Sequence, residues 1–171
     1  MNKFARNGLL LASLVLGACS DQAPSVTQQA AQAEVGTSCA LDGMLLADFP
    51  GPKAQMHYAG QDAPDFFCDT VEMFHLYLNP EQVRAVRALY VQDMGAAAWD
   101  EPQGHWIDAK QAFYVVGSSR HGSMGPTIAS FAKAVDAEKF AAEYGGKVYP
   151  FAGITADMAV LDGGALHDTH M

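Results

Sequence analysis

The alternation of apolar and polar positions divides the chain into two similar stretches. In the first, Ala54 to Ala59 (Ala-Gln-Met-His-Tyr-Ala) alternates as a strand does, and Phe66-Phe67-Cys68 is a second short apolar run. The turn-rich segment Gly60 to Asp65 separates them. Thr70 to Leu78 then carries apolar residues at 71, 74 and 78, which predicts a helix with Thr70 as its N-cap. Asn79-Pro80 breaks it, and Val86 to Val91 closes the stretch as a β-branched and aromatic strand.

The second stretch repeats that order. His105 to Ala109 and Ala112 to Val116 read as two strands, and Gly122 to Pro126 as a loop. Ile128 to Val135 and Ala137 to Tyr144 read as helical, with Asp136 as a cap and Phe140 and Tyr144 meeting at i,i+4. Gly145-Gly146 stops the helix, and Lys147 to Phe151 is the last strand. The expected fold class is α+β: two related ββαβ-type units, residues 37–95 and 96–161, packed as pseudo-repeats after a flexible tether. The last ten residues, 162–171, with His167, His170 and Met171, read as a mobile tail.

Ahead of the folded region stands an export leader, residues 1–18. Lys3 and Arg6 form its positive end, and Leu9 to Gly17 is an apolar run too short to span a bilayer. Leu16-Gly17-Ala18-Cys19 resembles a bacterial lipobox. That resemblance implies acylation of Cys19 and a lipid-anchored protein facing the periplasm. Residues 19–36 are polar, low in complexity and without aromatics, a tether between lipid and domain.

Charge narrows the functional classes. Loss of the leader removes two basic residues and no acidic ones, so the net charge moves from −9 to −11. Binding to nucleic acid needs Lys and Arg to neutralise phosphate, and no basic stripe is present. There is no Gly-x-Gly-x-x-Gly after a strand, no phosphate-binding loop, no His-Glu-x-x-His and no Gly-x-Ser-x-Gly. Nothing local supports a cysteine nucleophile, so the chain does not read as an enzyme.

What remains is sulfur and imidazole. Thiolates and thioethers select Cu(I), and imidazole suits copper and zinc. Met73, Met94 and Met158 sit among apolar neighbours and read as core. Met56 and His57 are adjacent on a strand, so they face opposite sides and cannot share an ion. Met44 and Met124 differ, because glycine adjoins each of them, in Asp42-Gly43-Met44 and Ser123-Met124-Gly125-Pro126. Cys39 and Asp42 precede the first, and His121 lies three residues before the second. For the two cysteines of the mature domain, Cys39 and Cys68, two states stay open: a single disulfide in a purely structural lipoprotein, or reduced thiols kept for a metal.

From Cys39 to Gln55 the chain reads Cys-Ala-Leu-Asp-Gly-Met-Leu-Leu-Ala-Asp-Phe-Pro-Gly-Pro-Lys-Ala-Gln. This resembles the signature of the NosL family, the accessory copper-binding lipoproteins of nitrous oxide reductase assembly. The likeness continues through Phe67-Cys68-Asp69, Tyr90 to Gly95, Trp106 to Ala109, Ala112 to Val115 and Met124-Gly125, and ends at Gly145-Gly146. The resemblance implies a Cu(I) chaperone that serves nitrous oxide reductase in denitrification and docks on the membrane transporter encoded with it. Carried over by residue, it implies Met44 and Met124 as thioether ligands and Cys39 or Cys68 as thiolate. His121 is the imidazole nearest to Met124, and Asp42 serves as a turn cap or as a harder ligand for a second ion such as Zn.

Overall fold

The computed structural model describes residues 29–161; Cys19 and the His167/His170/Met171 tail lie outside them. The first sheet is built on β1 (Ala54–Tyr58), whose five side chains are all buried. Strand β2 (Asp65–Phe67) and strand β3 (Val86–Gln92) flank it antiparallel, and β4 (Trp106–Asp108) lies outside β3. Ala54 faces both Phe67 and Val91 in this register, which places the cysteine that follows Phe67 beside the start of β1.

Helix α1 (Thr70–Tyr77) connects β2 to β3. Its N-cap is Asp69, whose side chain accepts the Val71 N–H at 2.9 Å, so the capping role expected of Thr70 falls one residue earlier. Asp is as good a cap as Thr, and Thr70 is engaged elsewhere: its hydroxyl donates to the Ile128 carbonyl.

The second sheet has the order β8-β5-β9, from β5 (Phe113–Val116), β8 (Ala129–Phe131) and β9 (Lys147–Pro150). Between β5 and β8 the chain forms a small hairpin, β6 (His121–Gly122) and β7 (Gly125–Pro126), where the sequence suggested only a loop. Helix α2 (Ala134–Tyr144) joins β8 to β9. In both sheets the first strand in sequence is central, and the strand after the helix lies on the opposite side from the second.

Three sequence readings are corrected here. Residues 128–135 are not one helix: 129–131 form β8, a fully buried strand paired with β5 from Phe113↔Phe131 to Val115↔Ala129. A short run with no exposed face carries no alternation, so its period cannot separate strand from helix. The α2 N-cap position is Lys133, with Asp136 inside the first turn. The strand near 105–109 does not join the second sheet but returns antiparallel onto the free edge of β3, its neighbour in sequence.

One apolar core runs through both sheets. Met56, Phe67, Met73 and Phe74 from the first half pack with Tyr114, Ile128 and Ile154 from the second. Phe74 meets Tyr114 edge-on at 5.0 Å between ring centres and Phe151 at 5.4 Å. Burying an aromatic of this size contributes roughly 2–3 kcal/mol. A smaller cluster beneath α2 joins Val115, Ala129, Phe131 and Ala137 to Phe140 and Trp99, and Phe140 meets Tyr144 at 4.8 Å as the i,i+4 spacing requires. Met94 and Met158 pack at the edges of these clusters, as expected of fillers. Among the described residues no helix is long and apolar enough to cross a membrane.

Candidate metal centre

Residues 39–44 form a tight turn closed on itself. The Cys39 N–H donates to the Met44 carbonyl at 2.7 Å and the Gly43 N–H to the Cys39 carbonyl at 2.9 Å. Asp42 caps the turn from inside, its Oδ1 accepting the Met44 N–H at 3.0 Å. Gly43 takes φ 78°, the left-handed conformation glycine adopts without a Cβ penalty. The Ala40 N–H donates to the Phe66 carbonyl at 2.7 Å, which pins the turn to β2 and so to Cys68, two residues further on.

That pinning brings the two cysteines together as free, buried thiols. Their sulfurs and a carboxylate oxygen of Asp42 all lie within 4.8 Å of one another. Glu72, fully buried in the first turn of α1, sits behind them. Its Oε2 is 2.9 Å from Cys39 Sγ and accepts the Cys68 N–H at 3.0 Å. The hydrogen bond from the Cys68 thiol draws the Cys39 pKa down to about 5, overriding its burial, with Glu72 and backbone donors helping. Cys68 moves the other way, first because Cys39 holds its proton and then because it is buried. Burial, and then the bond to Cys39, pushes Glu72 up to about 8. The three shifts pull in one direction, toward negative charge on the Cys39 sulfur and toward protons kept on Cys68 and Glu72.

Two further buried charged residues hold this arrangement. Lys53 Nζ donates to the carbonyls of Phe49 (2.7 Å), Pro50 (3.0 Å) and Cys68 (3.1 Å), which anchors the chain on both sides of the thiols. Burial lowers its pKa, while Asp69, Cys68 and Glu72 oppose that shift. Asp69 receives the Val71 N–H and the Thr127 hydroxyl on Oδ1, and the Ser123 N–H at 3.1 Å on Oδ2. Its burial raises its pKa against those donors.

Asp69 also explains how the second half reaches the thiols. The β6–β7 hairpin packs so closely on it that a Cβ at Gly122 would stand 2.0 Å from Asp69 Oδ2. Ser123, in the hairpin turn, then extends its hydroxyl to Glu72 Oε1 at 3.3 Å. Met124 is the next residue, half-buried at the same tip.

The residues picked from sequence thus fall into three groups. Cys39, Asp42 and Cys68 converge, and Met44 joins them through its backbone, its carbonyl accepting from Cys39 N–H and lying 3.6 Å from Cys68 Sγ. Met124 lies half-buried in the hairpin turn, next in sequence to Ser123. His121 stands at the exposed foot of that hairpin, its carbonyl bound by Trp99 Nε1 at 3.2 Å. His57 and His75 take part elsewhere, bonded to Gln55 and to the Ala159 carbonyl.

Sequence reasoning passed over Glu72, Asp69, Lys53 and Ser123. A signal for the first two was present: Asp69-Thr70-Val71-Glu72 has the spacing of a capping box. Here the Glu reaches the N–H of the residue before the cap, Cys68, and continues to a thiol.

The family model described as NosL matches residues 30–159. The chain belongs to the NosL family. It is 42% identical over 135 residues to the copper-binding lipoprotein NosL of Stutzerimonas stutzeri, a match covering 76% of this chain and 70% of that protein. With the copper-binding lipoprotein NosL of Achromobacter cycloclastes the identity is 40% over 152 residues, 85% of this chain and 77% of that one. The crystal structure of the copper chaperone NosL from Shewanella denitrificans superimposes with a TM-score of 0.72 at 42% identity, covering 75% of this chain and 97% of that chain.

Proposed function

We propose that this NosL-family chain is a lipid-anchored periplasmic Cu(I) chaperone, not an enzyme, that supplies copper for maturation of nitrous oxide reductase through the reductase's associated membrane transporter. The observation that carries the reading is the convergence of two free thiols, Cys39 and Cys68, whose sulfurs lie with an Asp42 oxygen within 4.8 Å of one another on a turn that ends in Met44. Cu(I) takes soft donors, and a thiolate neutralises its charge. Neutral thioethers need no deprotonation, so Met44 and Met124 hold the ion without releasing protons. The ligand set is Cys39, Cys68, Met44 and Met124, with His121 as the nearest imidazole. The Asp42 oxygen near both sulfurs suits a harder second ion such as Zn. We read the two sheets as related units and Cys19 as the acylated anchor at the far end of the tether.

A competition titration with a Cu(I) chelator, combined with thiol counting, tests the reading. Expected are two reactive thiols in the metal-free protein and their masking by one equivalent of Cu(I). Met44→Leu and Met124→Leu each weaken binding, while Met73→Leu, in the core, leaves it unchanged. A Cys39–Cys68 disulfide in protein isolated without oxidant, together with no copper uptake, would establish a structural lipoprotein instead.

A further inference from the structure

We infer that Ser123 is a positioning residue for the ion site, the joint through which the geometry of the two thiols is imposed on Met124; the inference rests on the Cu(I) reading above. Ser123 is bound twice, to two different buried carboxyl groups of the first half. Its N–H goes to Asp69 Oδ2 at 3.1 Å and its hydroxyl to Glu72 Oε1 at 3.3 Å. Both partners are fully buried, and each is fixed from its other side. Asp69 is held by Val71 N–H and the Thr127 hydroxyl, and Glu72 by Cys68 N–H and Cys39 Sγ. A continuous chain of bonds therefore runs from the Cys39 sulfur through Glu72 to Ser123, and the next residue is Met124.

Gly122 and Thr127 hold the hairpin against Asp69, but the bond onward to Glu72 is carried by Ser123. The hairpin's two strands are two residues each, too short to set a position by their own pairing. At its foot Trp99 holds the backbone at His121, two residues before Ser123. Among the described residues, Ser123 carries the hydrogen bonds that tie the tip, where Met124 lies, to the first half. A ligand on a two-residue turn gains affinity from being held in place before the ion arrives. Of the two bonds, the hydroxyl bond to Glu72 is the one that reaches the thiols, and it is the one a side-chain substitution can remove.

The test uses the metal-free full-length protein and the competition titration with Cu(I), on Ser123→Ala, Ser123→Thr, Met124→Leu and the double variant Ser123→Ala/Met124→Leu. Ser123→Ala is expected to weaken Cu(I) binding roughly tenfold, the usual loss when an orienting partner of a ligand is removed. Its metal-free thermal unfolding should fall by about 5 °C at most, because the N–H bond to Asp69 remains and the domain stays folded. Ser123→Thr, which keeps the hydroxyl, is expected to restore most of the affinity. The double variant should bind no more weakly than Met124→Leu alone, because Ser123 acts through that sulfur.

Wild-type affinity in Ser123→Ala, alongside a weakened Met124→Leu, would overturn the inference while leaving the ion site standing. Additive losses in the double variant would also overturn it, since the hydroxyl would then act on something other than Met124. Unchanged binding in Met124→Leu removes the ligand on which the inference depends, and absence of Cu(I) binding by the wild type removes the functional reading itself. These last two outcomes are told apart by the wild-type titration alone.

Discussion

Adding a single methyl group at Gly122 should break the junction between the two halves. A Cβ there would lie 2.0 Å from Asp69 Oδ2, 3.0 Å from its Cγ and 3.1 Å from Thr127 Cβ. Asp69 cannot swing aside, because its other oxygen is held by Val71 N–H at 2.9 Å and by the Thr127 hydroxyl at 2.5 Å. The hairpin must therefore retreat by about 1 Å or more to regain ordinary contact. That retreat stretches the Ser123 bonds to Asp69 and Glu72, now 3.1 and 3.3 Å, beyond useful length. Two hydrogen bonds to carboxyl groups at about 1.5 kcal/mol each give a loss of about 3 kcal/mol for Gly122→Ala. In a domain of this size that is a fall in Tm of roughly 10 °C. Thermal unfolding followed by circular dichroism measures it. Gly153→Ala is the control: its Cβ would meet Pro150 and Tyr149 only at 3.4 Å, ordinary contact, and should cost little. If Gly122→Ala melts within 2 °C of wild type, the close approach of hairpin and Asp69 is not what holds the halves together.

Other expectations follow from the same contacts. Lys53→Met removes the donor shared by three carbonyls and should cost about 3 kcal/mol in urea unfolding; a loss under about 1 kcal/mol contradicts the anchoring role. Burial lowers the His57 pKa below its ordinary value of 6.5, so the unfolded chain takes up the proton more readily than the folded one. The stability tied to His57 is therefore complete above about pH 6.5 and declines as the pH falls below it. The urea midpoint of wild type minus that of His57→Gln should thus shrink between pH 7.5 and 5.5, and a constant difference would refute the shift. Titration of thiolate ultraviolet absorbance in metal-free protein should show one thiol ionising near pH 5. Cys68→Ser keeps a weaker-matched donor at that position and Cys68→Ala keeps none, so the midpoint should rise most in the alanine variant. A midpoint that ignores both substitutions would show that the Cys68 S–H is not what lowers Cys39.

Local pattern by itself determined the elements whose signals lie within one turn or one strand. The alternation at 54–59 gave β1, the apolar positions 71, 74 and 78 gave α1, and Gly145-Gly146 marked the end of α2, where Gly145 is its C-cap. Cys39, Asp42 and Cys68, which the fold brings together, were picked out from their residue types, and the Cys39–Lys53 stretch carried the family. Tertiary contacts decided what lies beyond that range. Residues 129–131 became a strand because β5 supplied a partner edge and because the Ser130 hydroxyl found the Gln92 carbonyl at 2.6 Å, neither of which is encoded within the segment. Beyond its capping-box spacing, nothing in the local pattern marks Glu72 as buried. It is buried because Cys39 lies 33 positions before it and Ser123 lies 51 positions after it, and these two groups meet its carboxyl in place of water. Burying a carboxyl is costly unless such partners exist, and partners so distant along the chain are assembled only when the two halves fold together.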